Sequence, residues 1–175
     1  MDPYKVYLHT TPENHSSDCL TVTKESSALC TILPLINHNQ YVKLVLNPSS
    51  QVITMSEAVC HALGFIYNPR IHLHMQLANC EVDKTLGLTC NMPILIGDIM
   101  LYVQFHIICN PAYNVLLGRP FDTLVKSIVQ NYNNEDQTIM IHNLNSGRIM
   151  MVPTFLHGTH PCTAHPSPDF CNFRI

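Results

Sequence analysis

The sequence predicts a mainly β, barrel-like domain with one or two short helices. Three observations carry that expectation. Short apolar segments recur between turn-forming residues from Leu29 to Val152. Only Ser56 and Pro120 offer clear helix-start signals ahead of apolar runs. Hydrophobic residues make up 46% of the 175-residue chain. Charged residues make up 12%, against roughly 25% in a typical soluble domain, so one domain with a substantial core is within reach.

The elements follow in order. Leu29 to Ile36 is an apolar run closed by the polar turn Asn37-His38-Asn39-Gln40, and Tyr41 to Leu46 is a second run. Such a pair reads as a hairpin. Gln51 to Thr54 is a further candidate strand. Ser56 offers a hydroxyl N-cap, Glu57 sits in the first turn and Gly64 supplies a stop, which predicts a short helix over Glu57 to Leu63. Ile71 to Leu77 alternates, with His72, His74 and Gln76 on one face and Ile71, Leu73, Met75 and Leu77 on the other. Glu81 to Thr89 and Pro93 to Ile96 read as strands. Ile99 to Ile107 reads as a longer one, rich in β-branched and aromatic residues. Pro120 fits the first turn of a second helix, Phe121 to Val129, because the N–H it lacks has no partner there anyway. Thr138 to His142 and Arg148 to Val152 flank Asn145-Ser146-Gly147 as a last hairpin.

Composition divides the chain into three. Residues 1–28 are polar and aperiodic and are expected to form a flexible leader. Residues 29–153 carry nearly all the apolar segments and form the domain. Residues 154–175 hold Pro161, Pro166 and Pro168 with His157, His160 and His165, and are expected to be an irregular tail.

Several function classes are excluded. Nine Lys and Arg against twelve Asp and Glu leave a net charge of −3, so no basic field is present for nucleic acid. The greasiest stretch, Met92 to Cys109, is broken by Asp98, Gln104 and His106, so it is no membrane span. Met1 to Thr10 lacks an apolar signal core. The cytoplasm is therefore the expected compartment, with the nucleus open, and the eight cysteines are expected to be reduced. The tail residues His157, His160, Cys162, His165 and Cys171 match no standard zinc spacing, and His72 with His74 reads as a polar strand face, so no metal or cofactor is expected. Cys60-His61 are adjacent on a short helix, so their side chains diverge and form no nucleophile pair. Cys60, Cys30, Cys90 and Cys109 read as small core residues.

The most specific pattern spans Val42 to Ser56. An apolar strand runs into the tight turn Asn47-Pro48-Ser49-Ser50, then a second strand, then a capped helix ending Ala62-Leu63-Gly64. Some seventy residues later comes Tyr113-Asn114-Val115-Leu116-Leu117-Gly118-Arg119-Pro120-Phe121. Between them lies Met75-Gln76-Leu77-Ala78-Asn79-Cys80-Glu81-Val82-Asp83, and after them Asn134-Glu135-Asp136-Gln137-Thr138-Ile139. Together these segments resemble the retropepsin-like aspartic protease domain of gypsy-type retroelement Gag-Pol polyproteins, especially fungal ones, over residues 29–153. The resemblance implies a homodimeric acid-protease half-barrel. It implies a turn reading Asp-x-Gly-Ser/Ala, a flap hairpin over it, and an apolar-apolar-Gly strand, Leu116, Leu117 and Gly118, crossing beneath. It implies a peptide or polyprotein substrate held by Ser49, Ser50, Ala78, Asn79 and Cys80. It also implies hydrolysis by two carboxylates, one per subunit, which share a proton because like charges about 3 Å apart cannot both ionise.

The chain departs from that pattern where the chemistry sits. Asn47 stands at the position of the Asp, and an amide cannot act as general base. Ser49 stands at the position of the Gly, and Cys80 follows Asn79 where the flap commonly has Asn-Gly. Asp83, Asp98, Asp122 and Asp136 lie outside any apolar-strand, Asp-Ser/Thr-Gly context and are not expected to substitute. The expected function is an aspartic-peptidase domain without catalysis. The alternative is a peptide-clasping or dimeric interaction module of the same fold.

Overall fold

Pro34 decides how the N-terminal apolar run folds. The computed structural model describes residues 29–76, 82–132 and 136–156. In it the run is split into β1 (Cys30–Ile32) and β2 (Leu35–Ile36) on either side of Leu33-Pro34. The expected single hairpin becomes two pairings. β2 turns through Asn37 and His38, both in the left-handed region at φ 51 and 55, and pairs with β3 (Gln40–Tyr41). β4 (Leu44–Leu46) runs back antiparallel to β1, with Thr31 opposite Val45 and Ile32 opposite Leu44. A residue without an N–H cannot continue a two-sided ladder, so the chain changes partner there.

β5 is Thr54–Ser56, later than the expected Gln51 to Thr54, because Ser50 to Val52 is taken up by a turn bonded to itself. The Ser56 hydroxyl accepts from the Val59 N–H at 3.3 Å and starts α1 (Glu57–Ala62). Leu63 caps it and Gly64 follows at φ 75. β6 (His74–Gln76) and β7 (Val82–Lys84) form an isolated hairpin. On the apolar face of the expected alternation Ile71 and Leu73 are 44% and 40% exposed, and among the described residues three pairs form, His74 to Gln76 with Lys84 to Val82.

β8 (Gly87–Ile96) joins what read as two strands, through a bulge between Thr89 and Met92 with Asn91 at φ 55. It pairs with β9 (Ile99–Ile108) across Gly97-Asp98. The bulge turns Cys90 outward, and Cys109 lies just past β9. Both are exposed, whereas Cys60 is buried and Cys30 half-buried, so the core reading of Cys90 and Cys109 is corrected. β10 is Val115–Leu117, followed by α2 (Arg119–Val125). This helix stops well short of Val129. Lys126 takes the left-handed conformation at φ 45, and Asp122 accepts from the Ser127 hydroxyl. Ile128 and Val129 instead enter β11 (Ile128–Asn131), which pairs with β12 (Gln137–His142), itself paired with β13 (Ile149–Pro153). β14 (Phe155–Leu156) pairs with β1, so the sheet takes in two residues beyond position 153.

Among the described residues the main sheet has nine strands in the order β14-β1-β4-β10-β5-β9-β8-β2-β3 and curls into a half-barrel. Its concave core holds Ile32, Leu44, Met55, Phe105, Leu117 and Phe121, with Ile139 and Ile141 of the three-stranded sheet packed in. The expected mainly β half-barrel is what forms, with two short helices among the described residues.

Candidate functional site

The site begins as a topological oddity. β4 and β5 are neighbours in sequence, yet β10 lies between them. It runs parallel to β4, with Leu116 opposite Val45 and Leu117 opposite Leu46. It runs antiparallel to β5, with Leu116 opposite Thr54 and Val115 opposite Met55. The turn joining β4 to β5 must therefore pass over the end of β10. Two backbone bonds tie it there. The Asn47 N–H donates to the Leu117 carbonyl at 2.9 Å, and the Arg119 N–H donates to the Ser50 carbonyl at 2.8 Å.

Gly118 makes that crossing possible. A Cβ at this position would sit 2.2 Å from the Val52 carbonyl oxygen and 2.6 Å from that of Ser50. Both contacts are with backbone, which cannot step aside, so only a bare residue fits. Leu117 beneath the turn is buried and Leu116 half-buried.

The turn itself is built by local bonds. The Ser50 N–H donates to the Asn47 carbonyl at 3.0 Å, and Pro48 takes the second position, which suits its fixed φ. Asn47 Oδ1 accepts from the Ser49 N–H at 3.1 Å and from the Ser49 hydroxyl. The Ser50 hydroxyl donates to the Val52 carbonyl at 3.0 Å. Asn47 is half-buried, while Pro48 and Ser49 are exposed. The half-buried side chain that opens the turn is thus held by Ser49, and it is an amide. It can donate and accept hydrogen bonds, but it cannot take a proton from water at any useful pH.

Other expected site residues fall in different places. Ala78, Asn79 and Cys80 lie outside the described residues, as do Asn134, Glu135, the leader and the histidines and cysteines of the tail. β6 and β7 describe the base of the hairpin that would carry the first three, paired up to Gln76 opposite Val82. The four aspartates sit on other elements. Asp83 is in β7, Asp98 pairs with Arg148 in the β8–β9 turn, Asp122 is in α2 and Asp136 precedes β12. His72 and His74 meet edge to face at 6.1 Å, both exposed. Among the described residues no group of three His, Cys, Asp or Glu side chains is placed to hold a metal ion. Cys60 is buried with its thiol pushed up by burial and then by Glu57, whereas His61 is exposed and stacks on Tyr67. The two therefore do not form a thiolate–imidazole pair.

One residue escaped the sequence reading. His106 lies opposite Thr54 across the β5–β9 ladder, and Thr54 lies opposite Leu116, so the three share one face beside the crossing. Its Nδ1 is buried without a hydrogen-bond partner among the described residues, and burial pushes its pKa down. Alternation in β9 sets it apart from Phe105 and Ile107, but no spacing signal distinguishes it from an ordinary strand residue.

No protein-family model matches this chain, and no curated protein matches it either. Among solved structures it is similar to the retroviral protease-like domain of Ddi1 from Leishmania major, with a TM-score of 0.60 and 14% sequence identity. The match covers 77% of this chain and 100% of that one. The chain has a retropepsin-like fold. At so low an identity the likeness is one of backbone alone, so what a retropepsin-like frame does in this chain must be argued from the residues it carries.

Proposed function

We propose that this chain is an aspartic-peptidase-type domain derived from a gypsy-type Gag-Pol polyprotein, that it has lost catalysis, and that it clasps extended peptide segments as a homodimer. One observation carries the reading: the turn above the β4–β10–β5 crossing opens on the amide of Asn47. Hydrolysis by a carboxylate pair needs one group to take a proton from water and another to give one to the carbonyl oxygen. Two Asn47 side chains supply neither. Peptide binding asks less. A strand laid against exposed backbone gains ladder hydrogen bonds that need no titratable group. The homodimer is supported by the half-barrel form of the sheet and by the presence of one such turn in the described residues. Ser49 and Ser50 are assigned to the peptide side of the turn, and Ala78, Asn79 and Cys80 to the covering hairpin.

The test is cleavage of a mixed peptide library at acidic and neutral pH. The natural chain is compared with Asn47→Asp and with Asn47→Asp combined with Ser49→Gly. The natural chain is expected to cut nothing, and at least one Asp variant to cut at acidic pH. Cutting by the natural chain overturns the loss of catalysis. Failure of both variants overturns the assignment of the turn as the site.

A further inference from the structure

The Asn47 side chain has one orientation open to it. The Ser49 backbone N–H is a fixed donor, and it points at one terminal atom of the amide at 3.1 Å. The Ser49 hydroxyl donates to the same atom. Turning the amide over would set an NH2 group against that N–H, donor against donor. Oδ1 is therefore committed to the turn. Nδ2 takes no part in these bonds, and no acceptor for it is found among the described residues. Resting on the reading of this turn as a peptide site, we propose that Asn47 makes the cleft donor-only at its centre. It takes a peptide through a neutral acceptor, a backbone carbonyl oxygen set against Nδ2, and it rejects a cationic amine at that point.

The chemistry differs from that of a carboxylate at the same position. A carboxylate accepts hydrogen bonds and attracts positive charge. An amide whose oxygen is already used does the reverse, since it has only N–H groups to offer. A ligand that places an ammonium there loses its acceptor and sets N–H groups against N–H groups. An unpaired polar contact of this kind costs about tenfold in affinity or more. The Asn47 amide does not titrate, so the preference it sets is flat from pH 4 to 7.

The experiment uses the full 175-residue chain and two probes. Both are mixed-sequence heptapeptide libraries capped at each end. One has an ordinary central amide. In the other the central carbonyl is replaced by CH2, which leaves a protonated secondary amine. Retention of each library is measured between pH 4 and 7. The natural chain is expected to retain the amide form about tenfold better throughout. Asn47→Asp is expected to gain about tenfold for the ammonium form at neutral pH and to lose that gain near pH 4, where its carboxylate protonates. Asn47→Leu, which has no group to charge, is expected to lose the preference for the carbonyl without acquiring one for the ammonium. Equal retention of both forms by the natural chain overturns the proposal, as does preference for the ammonium. If Asn47→Asp retains a library and the natural chain retains neither, the donor-only assignment fails while the site stands. If no protein retains either library, peptide clasping itself fails and takes this inference with it.

Discussion

The crossing beneath the turn and the turn itself are bonded to each other and obey different rules. Below, Gly118, Leu117 and Phe121 are fixed by volume: a carbonyl 2.2 Å from any added Cβ, and two side chains with almost no exposure. Above, Pro48 and Ser49 stand in solvent and Asn47 is only half covered. The lower layer tolerates almost nothing because close packing leaves no slack. The upper layer tolerates a change of chemistry because an amide and a carboxylate fill nearly the same space. Packing therefore holds the frame with either group at position 47.

That contrast can be broken by substitution. Phe121→Ala empties a fully buried site in α2 next to the crossing and is expected to cost about 3–5 kcal/mol by chemical denaturation. A loss below 1 kcal/mol would mean that this layer is not close-packed. Gly118→Ala should cost about 3 kcal/mol, because the added methyl meets two backbone carbonyls. Both losses should appear as a lowered denaturation midpoint with an unchanged slope.

Acid sharpens the comparison at its margin. Burial lowers the folded-state pKa of His106. The unfolded chain therefore takes up the proton first as pH falls. Stability from this group is present above the unfolded value, near 6.5, and is lost as pH drops from there toward the folded value. Melting temperature is expected to fall modestly between pH 7.5 and 5.5 in the natural chain and by less in His106→Gln. An equal fall in both would assign the pH effect elsewhere. The smallest effect belongs to the turn: Ser49→Ala removes one exposed hydroxyl contact and should cost under about 1 kcal/mol. A larger loss would place Ser49 with the frame rather than with the tip.

The sequence was most legible where the signal is local. Ser56, Glu57 and Gly64 marked α1 to within a residue of its end, because caps act on the turn beside them. The turn at Asn47 and the Gly118 strand were visible as ordered motifs. What failed depended on distant partners. Ile128 and Val129 read as helix, since their apolar character suits either state. They form a strand because β12 arrives beside them and Lys126 breaks the helix first. The exposure of Cys90 follows from a bulge that pairing with β9 creates. The break at Pro34 carried a local cue, a missing N–H inside an apolar run, but only the pairing of β1 with β4 shows which strand each half joins.

The placement of β10 also sets an order of events. β4 and β5 are complete by residue 56, but their inner edges stay unpaired until residues 115–117 fall between them. A chain emerging from a ribosome therefore carries two open strand edges until about sixty further residues have followed. Loop closure across that span comes before any ladder bond repays it, so the domain belongs among slow, non-local folders. Its hazard during synthesis is edge-to-edge pairing between nascent chains.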